Sequence, residues 1–219
     1  MHLQLKANGQ LNLKQNKKNK KFIYLISPNK IKDESFYTHL SFVLSSRKVS
    51  YFQLRLKKET NLKKLIIGKK IKKICKKYKV KFLINDDPLI AKKLNADGCH
   101  LGQKDMDLTK ARKILKNKII GVTCHNSINL AKSAIKAEAD YLAFGAFYTS
   151  KTKIVKYKAN LRILRSVKKI TSLPIVAIGG IKLNNYKKLL LNKANFLAIS
   201  GYIWNNKIYK PLEAIKKLK

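Results

Sequence analysis

The sequence predicts an α/β protein, a single (β/α)8 TIM barrel, on three observations. Its 219 residues are enough for one domain of ordinary size. Short apolar runs alternate with lysine-rich segments of helical spacing, the pattern of repeated strand–helix units around a parallel sheet. No linker or shift of composition divides the chain. We expect residues 21–219 to form the barrel and the polar residues 1–20 to be a short N-terminal extension.

The predicted strands are eight short apolar runs, which is the number that a closed barrel of this class requires. They are residues 21–27, 50–56, 81–85, 97–101, 118–123, 140–147, 173–179 and 195–201. A doubly wound open sheet is the alternative, but Ile-Ser-Pro-Asn at 26–29 stands where its glycine-rich phosphate fingerprint would follow the first strand. The closed barrel is therefore favoured.

The predicted helices lie between these strands. In residues 62–78, apolar side chains such as Leu65, Ile71 and Cys75 recur at helical steps while lysines fill the other positions. The remaining helical segments are residues 33–45, 89–94, 108–115, 128–137, 159–170, 184–191 and 211–218. Each predicted strand is thus followed by a predicted helix.

The strong positive charge raises the hypothesis of nucleic-acid binding. The chain has 50 Lys and Arg residues against 11 Asp and Glu, a formal net charge of +39. Most of the basic residues are lysines, spread over nearly every predicted helix, whereas recognition of phosphates and bases favours arginine. An A+T-rich coding sequence explains this composition better, so we expect no specific nucleic-acid partner.

The composition also indicates a cytoplasmic protein. The apolar runs are far shorter than the ~20 residues of a membrane-spanning helix. The first twenty residues lack the apolar stretch of a secretory signal. Cys75, Cys99 and Cys124 form no C-x-x-C pair, which argues against a disulfide framework or a structural zinc site. We expect Cys99 and Cys124 to be small buried apolar residues.

Polar residues at the ends of the predicted strands are the candidates for function, because barrel enzymes place their active sites there. Gln53, Arg55 and Lys57 alternate along the second run, and a period of two puts their side chains on one face, which we expect to be the lumen. They would direct an amide and two cations towards the barrel mouth.

Carboxylates follow the third and fourth strands. Asp87 and Asp107 stand directly before helical segments and are expected to be N-caps. Asp86 and Asp105 have no such role, and neighbouring strand ends could bring them to one ion. Mg²⁺ suits this arrangement, since it is usually held by one or two carboxylates together with substrate phosphates.

Two anion sites are predicted around the mouth. Residues 148–153 form a hydroxyl- and lysine-rich loop that includes Lys153, which would join the metal and Arg55. The glycine pair at 179–180 and Ser200 follow the seventh and eighth strands, where this fold commonly binds phosphate. His100 and His125 lack a nucleophilic partner in the sequence, and we expect them to be structural.

Several strings in this order resemble the thiamine phosphate synthase family. They are Gln53-Leu54-Arg55, Ile84-Asn85-Asp86, ADGCHLGQKD at 96–105, Gly121-Val122-Thr123, residues 140–145, Thr152-Lys153 and AIGGI at 177–181. The resemblance covers roughly residues 21–203. It implies a (β/α)8 barrel that joins hydroxymethylpyrimidine diphosphate to a thiazole phosphate in the presence of Mg²⁺, giving thiamine phosphate and pyrophosphate.

The resemblance also implies a role for each matching position. The metal ligands would be Asp86 and Asp105. The pyrophosphate would be held by Arg55, Lys57, Asn85 and Lys153, with Arg55 and Lys153 acting in catalysis. The pyrimidine side would be contacted by Gln53 and Thr123. The thiazole phosphate pocket would be lined by Ser150, Thr152, Gly180, Ile199 and Ser200, partly through backbone amides.

The sequence departs from the family pattern at several positions. Leu56 replaces the usual Glu, Thr123 replaces a common Ser, and Ala146 and Thr149 replace usual prolines. Lys-Ala-Asn-Phe at 193–196 replaces a frequent Gly-Ala-Asp-Gly. A related branch, which includes a thiazole tautomerase, tends to lose the metal aspartates and the pyrophosphate lysine. All are present here, which favours the synthase over that branch and over another phosphate-binding barrel.

Overall fold

Eight parallel strands close into a barrel in chain order in the computed structural model, which describes residues 21–149 and 157–219. The strands are β1 Ile23–Ile26, β2 Val49–Leu54, β3 Lys81–Asn85, β4 Gly98–Leu101, β5 Ile119–His125, β6 Tyr141–Phe144, β7 Ile175–Ile178 and β8 Phe196–Ile199. β1 pairs with both β2 and β8, so the sheet has no free edge. The predicted barrel is confirmed, and each of the eight predicted runs overlaps one strand.

Helices follow the strands and cover the outside of the barrel. They are α1 Ser35–Ser45, α2 Asn61–Lys77, α3 Pro88–Lys93, α4 Leu108–Leu115, α5 Ile128–Lys136, α6 Arg162–Lys168, α7 Tyr186–Leu191, α8 Gly201–Trp204 and α9 Pro211–Lys217. The sequence did not predict α8, because four residues are too few to show helical periodicity; the eighth strand was wrongly extended through Gly201. In the described ranges no helix is long and apolar enough to cross a membrane.

The predicted N-caps are confirmed. The Asp87 side chain accepts a hydrogen bond from the Ile90 amide at the start of α3. The Asp107 side chain accepts from the Thr109 and Lys110 amides at the start of α4. These carboxylates satisfy backbone donors that the first helical turn leaves without a partner, and they are directed away from metal binding.

Strand side chains alternate between two apolar layers. The outer layer packs between the sheet and the helices and includes Leu25, Phe52 and Ile84, all almost fully buried. The inner layer fills the lumen and includes Tyr24, Tyr51 and Tyr141. Cys75, Cys99 and Cys124 are free and buried, as expected for Cys99 and Cys124. The alternation decides which strand-end residues can reach the lumen.

Three polar residues form hydrogen bonds that link neighbouring strands at the amino-terminal end of the barrel. The side chain of Asp140 accepts a hydrogen bond from the Ile120 amide, 2.7 Å away, while the Asp140 amide donates to the Ile120 carbonyl. Asp97 binds the β3 backbone in the same way, and Asn195 binds that of β7. Asn195 therefore replaces an aspartate without loss of the acceptor, and this departure from the family pattern lies far from the mouth.

Candidate active site

The carboxyl groups of Asp86 and Asp105 meet at the barrel mouth. Asp86 directly follows β3 in a left-handed conformation, with φ 65°, and its amide donates to the His100 carbonyl at 2.8 Å. Asp105 lies in the turn after β4, where the Gly102 amide donates to its Oδ2 at 2.6 Å. The two carboxyl groups lie close enough for each to shift the pKa of the other. The structure thus brings the two predicted metal ligands together.

This proximity perturbs both carboxyl groups. Burial raises the pKa of Asp105, and the adjacent Asp86 carboxylate raises that pKa further. Burial also acts to raise the pKa of Asp86, but hydrogen bonds from Asp105 and Lys57 outweigh it and hold that pKa below its ordinary value. Two carboxylates this close repel unless a proton or a cation lies between them. A divalent cation would take the place of the shared proton.

Of the two cations that follow the second strand, Lys57 contacts this pair. Lys57 Nζ is 2.7 Å from Asp86 Oδ2. The Arg55 guanidinium donates to Asn29 Oδ1 at 3.0 Å, and its amide donates to Ser27 Oγ. β2 ends at Leu54, so of the three only Gln53 lies on the strand itself, and Arg55 and Lys57 belong to the loop that follows it.

The donor set around the pair suits Mg²⁺. In the part of the chain that the structure describes, no group of three or more His, Cys, Asp or Glu residues surrounds a possible metal position. A site with only two carboxylates leaves coordination positions for water and phosphate oxygens, which is how Mg²⁺ is usually bound. Asn85, the last residue of β3, lies in register with His100 and borders the same mouth.

A chain of polar side chains crosses the lumen below the mouth. Gln53 Nε2 donates to the Tyr24 hydroxyl at 2.9 Å, and the Tyr24 and Tyr141 hydroxyls are 2.8 Å apart. The Tyr141 hydroxyl is 2.8 Å from His100 Nδ1, and His100 Nε2 is 2.9 Å from Thr123 Oγ1. We call these five residues the lumen chain. It joins the two positions that the family resemblance assigns to the pyrimidine.

The tyrosines of the lumen chain were not predicted from the sequence. Burial raises the pKa of Tyr141 and that of Tyr24, so both hydroxyls stay protonated. Burial also lowers the pKa of His100 to about 4, which makes its imidazole neutral near pH 7. The signal was available, since both tyrosines occupy inward positions of predicted strands. His100 is bonded at both ring nitrogens, consistent with the structural role expected for it.

The predicted phosphate residues lie at the ends of β7 and β8, which are adjacent strands. Gly179 and Gly180 have φ values of 107° and 58°, and a Cβ on Gly180 would lie 2.2 Å from the Thr149 carbonyl oxygen. Because these glycines have no side chain, the loop after β6 can pack directly against them, and their backbone amides are not covered by a side chain of their own. Ser200 Oγ donates to the Ser27 carbonyl at 3.0 Å. Ile199 is buried in the outer layer, so only its backbone could reach a ligand.

Three predicted site residues lie outside the described part of the chain. They are Ser150, Thr152 and Lys153. Their roles stay predictions.

A cavity of about 450 Å³ opens beside the carboxylate pair. Its lining includes Lys57, Asn85 and Asp86 from the mouth and Lys64 from α2. Leu56, the position where the family usually has Glu, also lines it and is 3% exposed. Leu56 belongs to the outer apolar layer, so its main contribution is packing.

The fold and the mouth together define a (β/α)8-barrel enzyme with acidic, cationic and amide groups gathered at the carboxyl ends of its strands. The family model described as thiamine monophosphate synthase matches residues 23–203, and the chain belongs to that family.

Curated relatives and solved structures agree with this assignment. A thiamine-phosphate synthase of Pelagibacter ubique is 84% identical over 94% of this chain and 100% of its own length. That of Nitrosomonas eutropha is 38% identical over 84% of this chain and 86% of its own length. Thiamine phosphate pyrophosphorylase from Pyrococcus furiosus superposes with a TM-score of 0.79 at 27% identity, covering 91% of this chain and 94% of its own.

Proposed function

We propose that this chain is a thiamine-phosphate synthase that condenses hydroxymethylpyrimidine diphosphate with a thiazole phosphate. The products are thiamine phosphate and pyrophosphate. The observation that carries the proposal is the pair Asp86 and Asp105, close together at the mouth with Lys57 in contact with Asp86. Membership of the synthase family gives this arrangement its substrate class. The presence of both aspartates favours the synthase over the branch that has lost them.

The proposed chemistry is a dissociative substitution. The C–O bond between the pyrimidine methylene and the diphosphate breaks, and its electron pair leaves with pyrophosphate. The pyrimidine ring delocalises the positive charge left on the methylene carbon. The thiazole nitrogen then forms the new C–N bond with its own lone pair. Because no proton has to be removed, the site needs no general base.

The residues at the mouth would stabilise the leaving group. Asp86 and Asp105 would hold Mg²⁺, which supplies positive charge to the diphosphate oxygens when bound. Lys57 contacts Asp86 at 2.7 Å and would turn to the diphosphate once a metal neutralises that carboxylate. Asn85 lines the same cavity, and Arg55 would reach the diphosphate from the loop after β2. Negative charge on the leaving group grows as the bond breaks, so these contacts favour the transition state over the ground state.

The remaining assignments belong to the same proposal. Lys153 would complete the pyrophosphate site. Ser150, Thr152, Gly180, Ile199 and Ser200 would line the thiazole phosphate pocket. The enzyme would act in the cytoplasm on small molecules, without a specific nucleic-acid partner, and the lysine-rich surface would reflect composition. The positive charge of the chain would speed the arrival of anionic substrates.

The test is a two-substrate turnover assay that follows pyrophosphate release. We expect release only when the pyrimidine diphosphate, the thiazole phosphate and Mg²⁺ are all present. Asp86→Ala should lower kcat/KM by at least ~10²-fold, the size expected when a strong electrostatic contact is removed. Asp107→Asn is the matched control, since it changes a nearby aspartate but keeps the helix cap.

Two results would contradict the proposal. One is turnover that persists unchanged in excess chelator. The other is conversion of a thiazole phosphate without consumption of the pyrimidine, which is the behaviour of a tautomerase.

A further inference from the structure

The cavity beside the carboxylate pair lies outside the lumen. One wall is formed by Leu54, Leu56 and Ile84, which belong to the outer apolar layer. The facing wall comes from the first turns of α2 and α3 and includes Lys64 and Leu89. The volume of about 450 Å³ is within the range of sites that bind small molecules. The cavity is therefore a space for a ligand that is separate from the lumen chain.

Two lysines line this cavity from different elements. Lys57 lies in the loop after β2, and its Nζ is 2.7 Å from Asp86 Oδ2. Lys64 lies in the first turn of α2 and is half-buried. Because the helices of this fold begin near the carboxyl ends of the strands, the first turn of α2 is at the level of the mouth. The cavity thus has one cation beside the carboxylate pair and a second on the facing helix.

Lys64 differs from its neighbours on α2 in having no carboxylate partner. Its Nζ is 3.4 Å from Asn61 Oδ1, at the long limit of a hydrogen bond, and no ion pair of the described residues includes it. The preceding residue, Lys63, is paired with Glu59, with 2.9 Å between Nζ and Oε2. The positive charge of Lys64 is therefore left for a ligand in the cavity.

The two aspartates of the lining are already engaged. Asp86 is paired with Lys57, and Asp87 Oδ1 accepts from the Ile90 amide as the N-cap of α3. The apolar walls offer no side-chain donor. An anionic group in this part of the cavity would therefore be bound by Lys64.

We propose that Lys64 is a further binding residue for the diphosphate. A diphosphate has two linked phosphate groups, so it can contact two cations at once. Lys57 would contact the phosphate nearer the carboxylate pair, and Lys64 would donate to the terminal phosphate. The inference rests on the proposed function and deepens it. After the C–O bond has broken, the same contact would hold the released pyrophosphate.

This contact should act on binding more than on the chemical step. The terminal phosphate is not the group whose bond breaks, so Lys64 would contact it similarly before and after cleavage. Lys64→Gln should therefore raise KM for the pyrimidine diphosphate about tenfold, the size of one hydrogen bond to a charged group, with little effect on kcat. The inhibition constant of pyrophosphate should rise by the same factor, and KM for the thiazole phosphate should stay at the wild-type value.

The experiment is a calorimetric titration of the protein with pyrophosphate in the presence of Mg²⁺. It compares the wild type with Lys64→Gln, Lys64→Arg and Lys63→Gln. Lys63→Gln is the matched control, because it removes the same charge one residue away from a side chain that does not line the cavity. We expect Lys64→Gln to weaken pyrophosphate binding about tenfold. Lys64→Arg and Lys63→Gln should bind within about twofold of the wild type.

Wild-type affinity in Lys64→Gln would overturn the inference. Equal losses in Lys64→Gln and Lys63→Gln would also overturn it, because they would show an effect of net charge without a specific contact. The titration requires no turnover. A wild type that binds pyrophosphate through Lys64 but forms no thiamine phosphate would therefore refute the proposed function alone, which distinguishes the two failures.

Discussion

Replacement of His100 by Gln should change how the stability of the protein depends on pH. The His100 imidazole is partly buried, and its two ring nitrogens are hydrogen-bonded to Tyr141 and Thr123, so the folded protein resists protonation there. Its pKa is lowered to about 4, from 6.5 for an ordinary histidine. Gln cannot take up a proton in this range but keeps an amide that can donate to Thr123.

The sign of the effect follows from proton binding. Between pH 6.5 and about 4 the unfolded chain binds a proton at His100 and the folded chain does not. The contribution of His100 is therefore fully present above pH 6.5 and is lost as the pH falls towards 4. Each pH unit of this window is worth about 1.4 kcal/mol, so the whole loss amounts to about 3 kcal/mol.

Urea unfolding of the metal-free protein at pH 7, 6 and 5 measures this contribution of His100 to the free energy of unfolding. Carboxyl groups titrate in both proteins and largely cancel in the difference between wild type and His100→Gln. That difference in unfolding free energy should shrink steadily as the pH falls. His39→Gln, which removes an exposed histidine on α1, is the matched control for the exchange of a histidine for glutamine. A His100→Gln difference that does not change with pH would refute the assignment of a buried neutral imidazole.

Three further changes test the framework by equilibrium unfolding. Asp140→Ala should cost about 1–3 kcal/mol, because the Ile120 amide loses its acceptor, while Asp140→Asn should cost much less; equal losses would contradict this role. Asp87→Ala should cost about 1 kcal/mol as a lost N-cap, with Asp87→Asn near wild type. Gly121→Ala should cost at least about 1–3 kcal/mol, because its Cβ overlaps the Tyr141 ring, and a neutral result would show that the ring moves freely.

Local signals were sufficient for the elements of the barrel. Apolar runs of strand length and segments of helical spacing depend on short-range periodicity, and each run overlaps the expected strand. The roles of Asp87 and Asp107 as caps were predictable for the same reason, since a cap is bonded within three residues of its own position. The short helix α8 could not be predicted in this way, because a single helical turn is too short to show a periodic pattern.

The end of β2 was not predictable from the local pattern. Gln53 lies in the lumen, as predicted, but the strand ends at Leu54, so Arg55 and Lys57 belong to the following loop. Whether a strand continues depends on the partner that supplies its hydrogen bonds, and β2 pairs with β3 only as far as Leu54. The contact of Lys57 with Asp86 is consequently a property of two neighbouring loops.

The sequence alone determined the fold class, the family resemblance and the residue types available at the strand ends, because these follow from spacing along the chain. Only the tertiary structure decided which of those groups meet. Tyr24 and Tyr141 are 117 positions apart, yet their hydroxyls are hydrogen-bonded because closure of the barrel brings the inward faces of β1 and β6 across one lumen. The lumen chain exists only because all five partners meet, which no periodicity in the sequence encodes.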